Sequence, residues 1–296
     1  MSSVIQKLYK QNLLSAPPWL PKSIQYEIMM GSTAYGVSDD LSDIDIYGFC
    51  IPHKDVVFPH LAGDIIGFGR QKNYFEQYQE HKIADKESSR EYDVSVYNIV
   101  KYFMLCMENN PNIIDSLFVP SRCVLYTTKI ANMVRDERKI FLHKGAWHKF
   151  KGYSFSQMHK MDNKNPEGKR KGVVEKYGLD LKYAYHVVRL LNEIEMILIE
   201  GDLNLERNNE QLKSIRRGEW TLTQIKEYFF SKEKDLEKLY IESKLPHSPD
   251  EPKIKRLLLN CLEEHFGTLE NCIVEPDKAI QTLKEINEII RKSNLI

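Results

Sequence analysis

The segment DIDIYGF at residues 43–49 is the feature that most constrains the fold, because it alternates two aspartates with apolar residues. On a β-strand, side chains two residues apart project from the same face, so Asp43 and Asp45 would lie side by side. Two like charges in this position repel each other in the absence of a cation. Ile44 and Ile46 favour burial of the segment, which disfavours a solvated loop. The pattern predicts a strand that presents two carboxylates to a cation.

The segments around this strand alternate between strand and helix signals. Three prolines within residues 15–21 separate a first helix from a strand that ends at Gly31, and a short helix is predicted directly after it. The strand with the two aspartates is expected to stop at Pro52. A further alternating strand is predicted over Tyr92–Val96, followed by a helix that reaches Glu108.

From about residue 145 onwards the pattern is helical. We therefore expect an α+β fold with two domains, at residues 1–145 and 146–296, and a length of 296 residues allows either one large domain or two. The first domain would be a small mixed β-sheet with helices on one side, and the second would be a helical domain. The segment GDIIGFG at residues 63–69 is expected to form a hairpin or a turn.

The composition limits the class of partner only weakly. Lys plus Arg and Asp plus Glu number 42 each, so the charge balance gives no overall sign of a nucleic-acid partner and any electrostatic argument must be local. The five cysteines are scattered and form no Cys-x-x-Cys pair, which favours a reducing compartment. Without a signal-peptide pattern or an uncharged run of about 20 residues, the expected location is the cytoplasm, with no membrane contact.

Three sequence features occur in an order that resembles a known superfamily. Gly31-Ser32 is followed by Asp43-x-Asp45 and later by a strand aspartate, Asp93. The segments that carry the resemblance are YEIMMGSTAYGVSDDLSDIDIYGF, EYDVSVYNIVKYFMLCMENNPNIIDSLF and YGLDLKYAYHVVRLLNEIEMILIEGDLNL, the last followed by SIRRGEW. The chain resembles the DNA polymerase beta superfamily of nucleotidyltransferases, most closely the bacterial and phage family of predicted nucleotidyltransferases linked to RNA repair. The resemblance implies a catalytic domain at residues 1–145 and a helical domain that closes a cleft over it.

The resemblance also implies roles for single residues. Asp43 and Asp45 would ligate a nucleotide-bound metal and Asp93 would complete the site for a second, with Mg²⁺ or Mn²⁺ as the two ions and a nucleoside triphosphate as substrate. Gly31 and Ser32 would contact the phosphates at the turn. The plainer alternatives are a capping or turn role for Asp43 and Asp45, an exposed edge position for Asp93, and a simple turn and helix cap at Gly31 and Ser32.

One helix in the second half carries a polar stripe on an otherwise apolar surface. At about 100° per residue, Lys182, His186 and Arg189 fall within about 60° of one another, and Glu193 lies on the same stripe. We expect the stripe to line the cleft and to contact phosphates or the acceptor. The alternative is a solvated face that Glu193 partly balances.

A second basic group lies in the segment NKNPEGKRKG. Residues 151–190 contain nine Lys or Arg against four Asp or Glu, and Lys169, Arg170 and Lys171 are adjacent. We expect a loop here that closes over a triphosphate or follows an RNA backbone. A plain exposed loop is the equally weighted alternative.

Together these features predict metal-dependent transfer of a nucleoside monophosphate from a triphosphate to an acceptor hydroxyl, with the 3′ end of RNA as the favoured acceptor. One alternative is transfer to a protein hydroxyl, as in superfamily members of toxin and antitoxin systems. The other is an inactive nucleotide-binding or RNA-binding module, against which the three aspartates argue.

Overall fold

The computed structural model describes residues 3–38, 43–58, 74–85, 90–163, 168–268 and 278–292. Within these ranges the chain combines one five-stranded mixed sheet with many helices. The predicted α+β class is therefore confirmed. The hairpin or turn predicted at residues 63–69 lies outside the described residues.

The sheet has the strand order β3-β4-β2-β1-β5. Its strands are β1 (Ile24–Met29), β2 (Ile44–Cys50), β3 (Gln77–Asp85), β4 (Arg90–Asn98) and β5 (Val124–Thr127). β2 and β4 pair in parallel, whereas the other neighbouring strands are antiparallel. This topology brings the beginnings of β2 and β4 and the end of β1 to the same end of the sheet.

The helices before residue 145 surround the sheet, and those after it form a bundle. The first group is α1 (Val4–Lys10), α2 (Leu20–Ser23), α3 (Lys54–Val57), α4 (Ile99–Met107), α5 (Pro111–Phe118) and α6 (Lys129–Asp136). The second group is α7 (Ala146–Asn163), α8 (Lys169–Tyr177), α9 (Leu181–Glu200), α10 (Asn209–Arg216), α11 (Leu222–Glu242), α12 (Glu251–Phe266) and α13 (Lys278–Lys292). Short 3₁₀ turns lie at Gly31–Thr33, Ser121–Cys123 and Arg138–Phe141. None of the described helices is long and apolar enough to cross a membrane.

The sequence located three of the five strands correctly. β1, β2 and β4 lie where the sequence predicted them. The connector at residues 15–21 was predicted to be non-helical, and it does separate α1 from β1, but its last two residues belong to the short helix α2. β3 was not predicted, because it is an edge strand whose alternation is weakened by largely exposed polar residues. β5 was also missed, since four residues are too few for a clear period.

Both faces of the sheet are covered by helices, so the prediction of helices on one side is wrong. On one face, Ile46 of β2 and Val94 of β4 pack in a cluster with Ile5 and Leu8 of α1. The other face belongs to a larger cluster that continues into the helical bundle. The alternating apolar residues of β2 and β4 therefore serve two different cores.

The larger core joins the two halves of the chain. It runs from Phe49 of β2 through Phe103 of α4 to Ile194 of α9 and Phe229 of α11. α12 packs against α4 and α6, which precede residue 145. The boundary near residue 145 stays a prediction, and the shared core makes coupled folding of the two parts the simplest expectation.

The helix α9 runs through the centre of the bundle, and its ends have clear causes. Asp180 caps it by accepting hydrogen bonds from the amides of Lys182 and Tyr183 at 3.0 and 3.2 Å. Gly201 ends it in the left-handed conformation with φ of 58°. Most of its residues are buried, so the polar positions along it sit in fixed surroundings.

Candidate active site

Asp45 and Asp93 lie directly beside each other at this end of the sheet. They are paired residues in the parallel register of β2 and β4, so their side chains leave the same face of neighbouring strands. Asp45 is half-buried, and the side chain of Asp93 is 34% exposed. Asp43 is exposed just before β2 and close enough to influence the Asp45 carboxyl. We call Asp43, Asp45 and Asp93 the strand-edge carboxylates.

A bulge in β3 holds Asp93 in place. The pairing of β3 with β4 shifts between Glu80 and Ile83, and Lys82 has a positive φ of 56°. The Lys82 amide consequently donates a hydrogen bond to Asp93 Oδ1 at 2.8 Å, and His81 Nδ1 lies 3.4 Å from Asp93 Oδ2. This support could not be predicted from the sequence, since β3 itself was not predicted.

The turn after β1 packs directly against Asp45. Gly31 has a φ of 65°, and a Cβ atom at this position would overlap Asp45 Oδ2. Only glycine satisfies both conditions, because it tolerates a positive φ and leaves room for the carboxylate. The amide of Val37 closes the turn by donating to the Ser32 carbonyl at 2.9 Å. Ser32 is half-buried beside this contact.

The electrostatic surroundings of Asp45 favour a bound cation. Burial raises the pKa of the Asp45 carboxyl above its usual value, while the nearby Lys182 opposes this and Asp93 and Asp43 add to it. Lys182 is exposed at the start of α9, so a positive side chain faces the carboxylates across the site. A carboxyl whose pKa is raised by neighbouring acidic groups gains from a nearby cation.

His186 is on the same side of α9 as Lys182 but does not act as a charge. Burial lowers the pKa of its imidazole well below the ordinary value, and Arg189, Lys182, Arg170 and Arg216 lower it further. His186 is therefore neutral at neutral pH and can offer one ring N–H as a donor. The stripe was predicted to be basic along its length, and at this position that prediction needs correction.

Arg189 is the clearest departure from the predicted stripe. Its side chain is only 2% exposed, and its guanidinium pairs with Asp115 and donates to Glu193 at 2.9 Å. It also donates to the Tyr35 hydroxyl at 2.7 Å, and this hydroxyl donates to Asp115 at 2.8 Å. Helical periodicity placed Arg189 on the correct side of α9 but could not reveal that other elements cover it. Arg189 is engaged in the core and is not placed to contact a phosphate.

Tyr35, Asp115, Arg189 and Glu193 form what we call the buried arginine network. It links the turn after β1, through Tyr35, to α5 and α9. Burial raises the pKa of both carboxyls, at Asp115 and at Glu193. The network fixes the position of the turn that carries Gly31 relative to the helix that carries Lys182.

The basic group at residues 169–171 is helical and not a loop, which corrects the prediction. Lys169–Lys171 form the first turn of α8, and Lys171 is exposed. Arg170 stacks over the Tyr183 ring with its Cζ 4.5 Å from the centroid, and its Nε lies 3.6 Å from Asp180. Arg170 therefore sits close to the start of α9 and to His186, on which its charge acts.

Arg216 lies close to two residues of α9, and the sequence reasoning did not select it. Its Cζ lies 5.7 Å from the centre of the Tyr185 ring, and its charge acts on both Tyr185 and His186. The Asp45 charge also acts on Tyr185, whose pKa is raised by burial to about 12. Arg216 and Asp45 therefore both act on Tyr185. The adjacent arginines in SIRRGEW were the available signal, but their distance from α9 along the chain hid the connection.

The carboxylates fit a metal only together with ligands from outside the protein. Within the described ranges, no group of three or more His, Cys, Asp or Glu side chains is assembled closely enough to hold an ion. Asp45 and Asp93 nevertheless supply hard oxygen donors side by side, and Gly31 keeps the space next to Asp45 clear of a side chain. Mg²⁺ commonly binds to one or two carboxylates plus phosphate oxygens and water, which matches this arrangement.

The comparison with protein families agrees with the geometry. The sequence model of the RlaP family, the RNA repair pathway DNA polymerase beta family, matches residues 6–260. A nucleotidyltransferase-like protein from Exiguobacterium sibiricum aligns over 87% of this chain and 72% of its own, with 11% identity and a TM-score of 0.29. The search of curated proteins gave no match. The family match covers most of the chain, which therefore belongs to the RNA repair pathway DNA polymerase beta family and is a nucleotidyltransferase of the polymerase beta superfamily.

Proposed function

We propose that this protein transfers a nucleoside monophosphate from a triphosphate to the 3′ hydroxyl of RNA in a metal-dependent reaction. The observation that carries the proposal is the side-by-side placement of Asp45 and Asp93 at a strand edge, with Gly31 packed against Asp45. Nucleotidyl transfer joins an acceptor oxygen to the α-phosphorus and expels pyrophosphate. The site must therefore tolerate a concentrated negative charge and hold two reactants in line.

The strand-edge carboxylates would hold two Mg²⁺ or Mn²⁺ ions. Asp45 and Asp93 are the central ligands in this proposal, and Asp43 adds a third carboxylate from the residue before β2. When bound, the ions neutralise the triphosphate and lower the pKa of the attacking hydroxyl. The β3 bulge contributes by holding Asp93 through the Lys82 amide, which fixes the carboxylate before substrate arrives.

The positive side chains around α9 would hold the triphosphate. Lys182 acts on Asp45, and Arg216 acts on His186. A guanidinium group suits phosphates because it donates two parallel hydrogen bonds. The neutral His186 would add an N–H donor, and Gly31 and Ser32 would contact the phosphates from the turn after β1. The Tyr185 ring, 5.7 Å from the Arg216 guanidinium carbon, would help to keep this guanidinium oriented.

An RNA acceptor agrees with the family's link to RNA repair and with the local charge. Lys171 is exposed in the first turn of α8, and Arg170 is next to it at the start of α9. A protein acceptor needs only one hydroxyl, whereas an RNA strand needs cations along its phosphates. The basic turn of α8 supplies such cations close to the proposed triphosphate site.

The test uses the purified protein with Mn²⁺ or Mg²⁺, each labelled triphosphate in turn, and three acceptors. These are RNA with a 3′ hydroxyl, the same RNA with a 3′ phosphate, and a cellular protein pool. The proposal expects label on the first acceptor alone, and loss of labelling in Asp93→Asn. Label on protein, or on RNA with a blocked 3′ end, would overturn the choice of acceptor.

A second measurement separates RNA binding from triphosphate binding. Changing Lys169, Arg170 and Lys171 together to alanine is expected to weaken RNA binding and to reduce its salt dependence by about 0.7 in log–log slope for each lost phosphate contact. Triphosphate affinity should fall less. If the variant loses triphosphate affinity and keeps RNA affinity, the start of α8 serves the nucleotide and not the acceptor.

A further inference from the structure

A large cavity opens at the end of the sheet opposite the carboxylates. It has a volume of about 610 Å³ and lies between the start of β1, the end of β2, α3 and the end of α12. Its lining includes Trp19, His53 and Phe266 as ring-bearing side chains. This volume falls in the range of ordinary ligand sites, which are concave and mainly apolar with a few polar groups.

The charged side chains in the described lining of the cavity have one sign. Lys22 and Lys54 line it, and its described lining contains no Asp or Glu. The whole chain is neutral by contrast, with equal numbers of acidic and basic residues. Partial desolvation and the neighbouring His53 lower the pKa of His265, so this imidazole is neutral at neutral pH and the positive charge comes from the two lysines. The lining is therefore complementary to a ligand that carries phosphate groups.

The rings in the cavity are arranged around open space. Trp19 makes edge contacts with His53 and with Phe75, at centroid distances of 6.0 and 4.8 Å. His265 and Phe266 of α12 also line the cavity, and their ring centroids lie 4.6 Å apart. Trp19 is half-buried and His265 is exposed, so rings from two separate elements reach the solvent at this cavity. Rings interleaved with lysines are the combination that binds single-stranded nucleic acid, because bases stack on rings while lysines neutralise phosphates.

The position of the cavity relates it to the carboxylate end of the sheet. Ile51, in its lining, donates a backbone hydrogen bond to the Ser23 carbonyl at 3.1 Å, and it follows Asp45 by six positions, directly after the end of β2. At about 3.3 Å per residue the cavity lies about 20 Å from Asp45. A stacked single strand, at about 3.4 Å per nucleotide, covers this distance with about six nucleotides.

We propose that this cavity, lined by Trp19, Lys22, His53, Lys54, His265 and Phe266, binds a nucleotide of the RNA strand upstream of its 3′ end. The inference rests on the proposed function for the identity of the strand. It adds a second contact, which anchors the acceptor and sets a minimum length for tight binding. A free mononucleotide could bind in the cavity at no minimum length. The dependence of binding on RNA length therefore distinguishes an RNA strand from a free nucleotide as the ligand.

The test uses Trp19 as its own reporter. The chain has three tryptophans, so a protein with Trp147→Phe and Trp220→Phe retains only Trp19. RNA of about twelve nucleotides with a blocked 3′ phosphate is expected to quench its fluorescence, whereas RNA of two nucleotides and free triphosphate are not. The blocked end removes any dependence on transfer. Equal quenching by free triphosphate, or none by the longer RNA, would overturn the proposal.

A variant pair in the otherwise unaltered chain gives a second measurement. Lys22→Gln with His265→Gln changes two exposed cavity residues, and Lys253→Gln changes an exposed lysine at the other end of α12 as the control. We expect the cavity variant to bind the longer RNA about tenfold more weakly by fluorescence anisotropy, with a smaller salt slope. The control should bind it normally. Unchanged affinity in the cavity variant would also contradict the proposal.

The two proposals can fail separately. If no triphosphate is ever transferred but the longer RNA quenches Trp19, the proposed reaction fails and the cavity stands. If RNA is extended at its 3′ end while Trp19 is unaffected, the cavity proposal fails and the reaction stands.

Discussion

The strand-edge carboxylates and the buried arginine network use similar side chains in opposite ways. Asp45 and Asp93 lie next to each other at a partly exposed end of their strands, and in the part of the chain that the structure describes no lysine or arginine forms an ion pair with Asp45, on which Lys182 acts only through its charge. Asp115 and Glu193 are fully buried and share Arg189 as their partner. Repulsion left unrelieved is useful where a cation or a phosphate must arrive, whereas a buried acid must be paired at all times.

The helix α9 belongs to both regions. Its first turn brings Lys182 near Asp45, and its middle carries Arg189 and Glu193 into the core. The same helix therefore presents a charge to the proposed site and anchors the turn after β1 through Tyr35. Lys182 and Arg189 are separated by about two helical turns.

The largest expected effect is at the strand edge, in Asp45→Asn. Transfer should fall by about a thousandfold, because the variant loses a carboxylate that the proposed metal site requires. The free energy of unfolding should stay the same or rise slightly, since the repulsion from Asp93 is relieved. Calorimetric titration with Mn²⁺ and triphosphate measures the lost binding, and Asp136→Asn on α6 is the control. Normal Mn²⁺ affinity in Asp45→Asn would remove Asp45 from the site.

The opposite pattern is expected for Arg189→Met. Removing the guanidinium leaves two buried carboxyls without their cation, which should lower the free energy of unfolding by about 3–5 kcal/mol. Glu193→Gln keeps an acceptor for Arg189 and should cost only about 1 kcal/mol. Urea denaturation gives both values. A weaker affinity for triphosphate without loss of stability would instead restore the role that helical periodicity predicted for Arg189.

Gly31→Ala tests the contact between the turn and the carboxylate. The added Cβ would overlap Asp45 Oδ2, and the alanine would have to adopt a φ of 65°. Both transfer and stability should therefore decline. Gly178→Ala is the matched control, because Gly178 also has a positive φ but has nothing within 4 Å of an added Cβ. Both variants should lower the free energy of unfolding by about 1 kcal/mol, because alanine is strained at a positive φ. A loss of transfer in Gly31→Ala alone isolates the contact with Asp45.

The sequence revealed the strand-edge carboxylates and concealed the network for the same physical reason. Asp43 and Asp45 are near neighbours in the chain, and the period of a strand fixes their relative positions. Arg189 is 74 residues from Asp115 and 154 residues from Tyr35, so its partners depend on packing that no local period describes. Helix periodicity identified the face of α9 and not what covers that face.

The strands also divide into those that local alternation predicts and one that it does not. β2 and β4 alternate apolar and polar residues over a buried centre, and their register brings Asp45 beside Asp93. β3 lies at an edge, and its bulge at Lys82 interrupts the alternation at the point where the strand supports Asp93. The exposed polar residues of this edge strand and its bulge both weaken the alternation, so β3 could not be recognised from the sequence.

Glu27 on β1 extends the comparison, and its substitution has the smallest expected effect. It is a buried acid held by backbone amides and not by a guanidinium. Its Oε1 accepts hydrogen bonds from the amides of Val4 and Ile5 at 2.7 and 3.1 Å, at the start of α1, while its Oε2 has no hydrogen-bond partner in the described chain. Burial raises the pKa of the Glu27 carboxyl, and the hydrogen bonds from Ser3, Ile5 and Val4 only partly offset this.

The raised pKa of Glu27 determines how the stability of the protein changes with pH. Because the folded protein binds this proton more tightly than the unfolded chain, stability falls as the pH rises from the ordinary pKa of a glutamate through the raised one, and is constant above it. A difference of one in pKa corresponds to about 1.4 kcal/mol. Glu27→Gln keeps a carbonyl acceptor for the two amides and removes the charge, so it should be more stable than the parent protein at neutral pH and should lose this part of the pH dependence. Urea denaturation across the acidic range measures both, with Glu263→Gln on the exposed side of α12 as the control. If Glu27→Gln is less stable than the parent protein at neutral pH, the charge on Glu27 stabilises α1, and a buried carboxylate can be held by backbone amides as well as by a guanidinium.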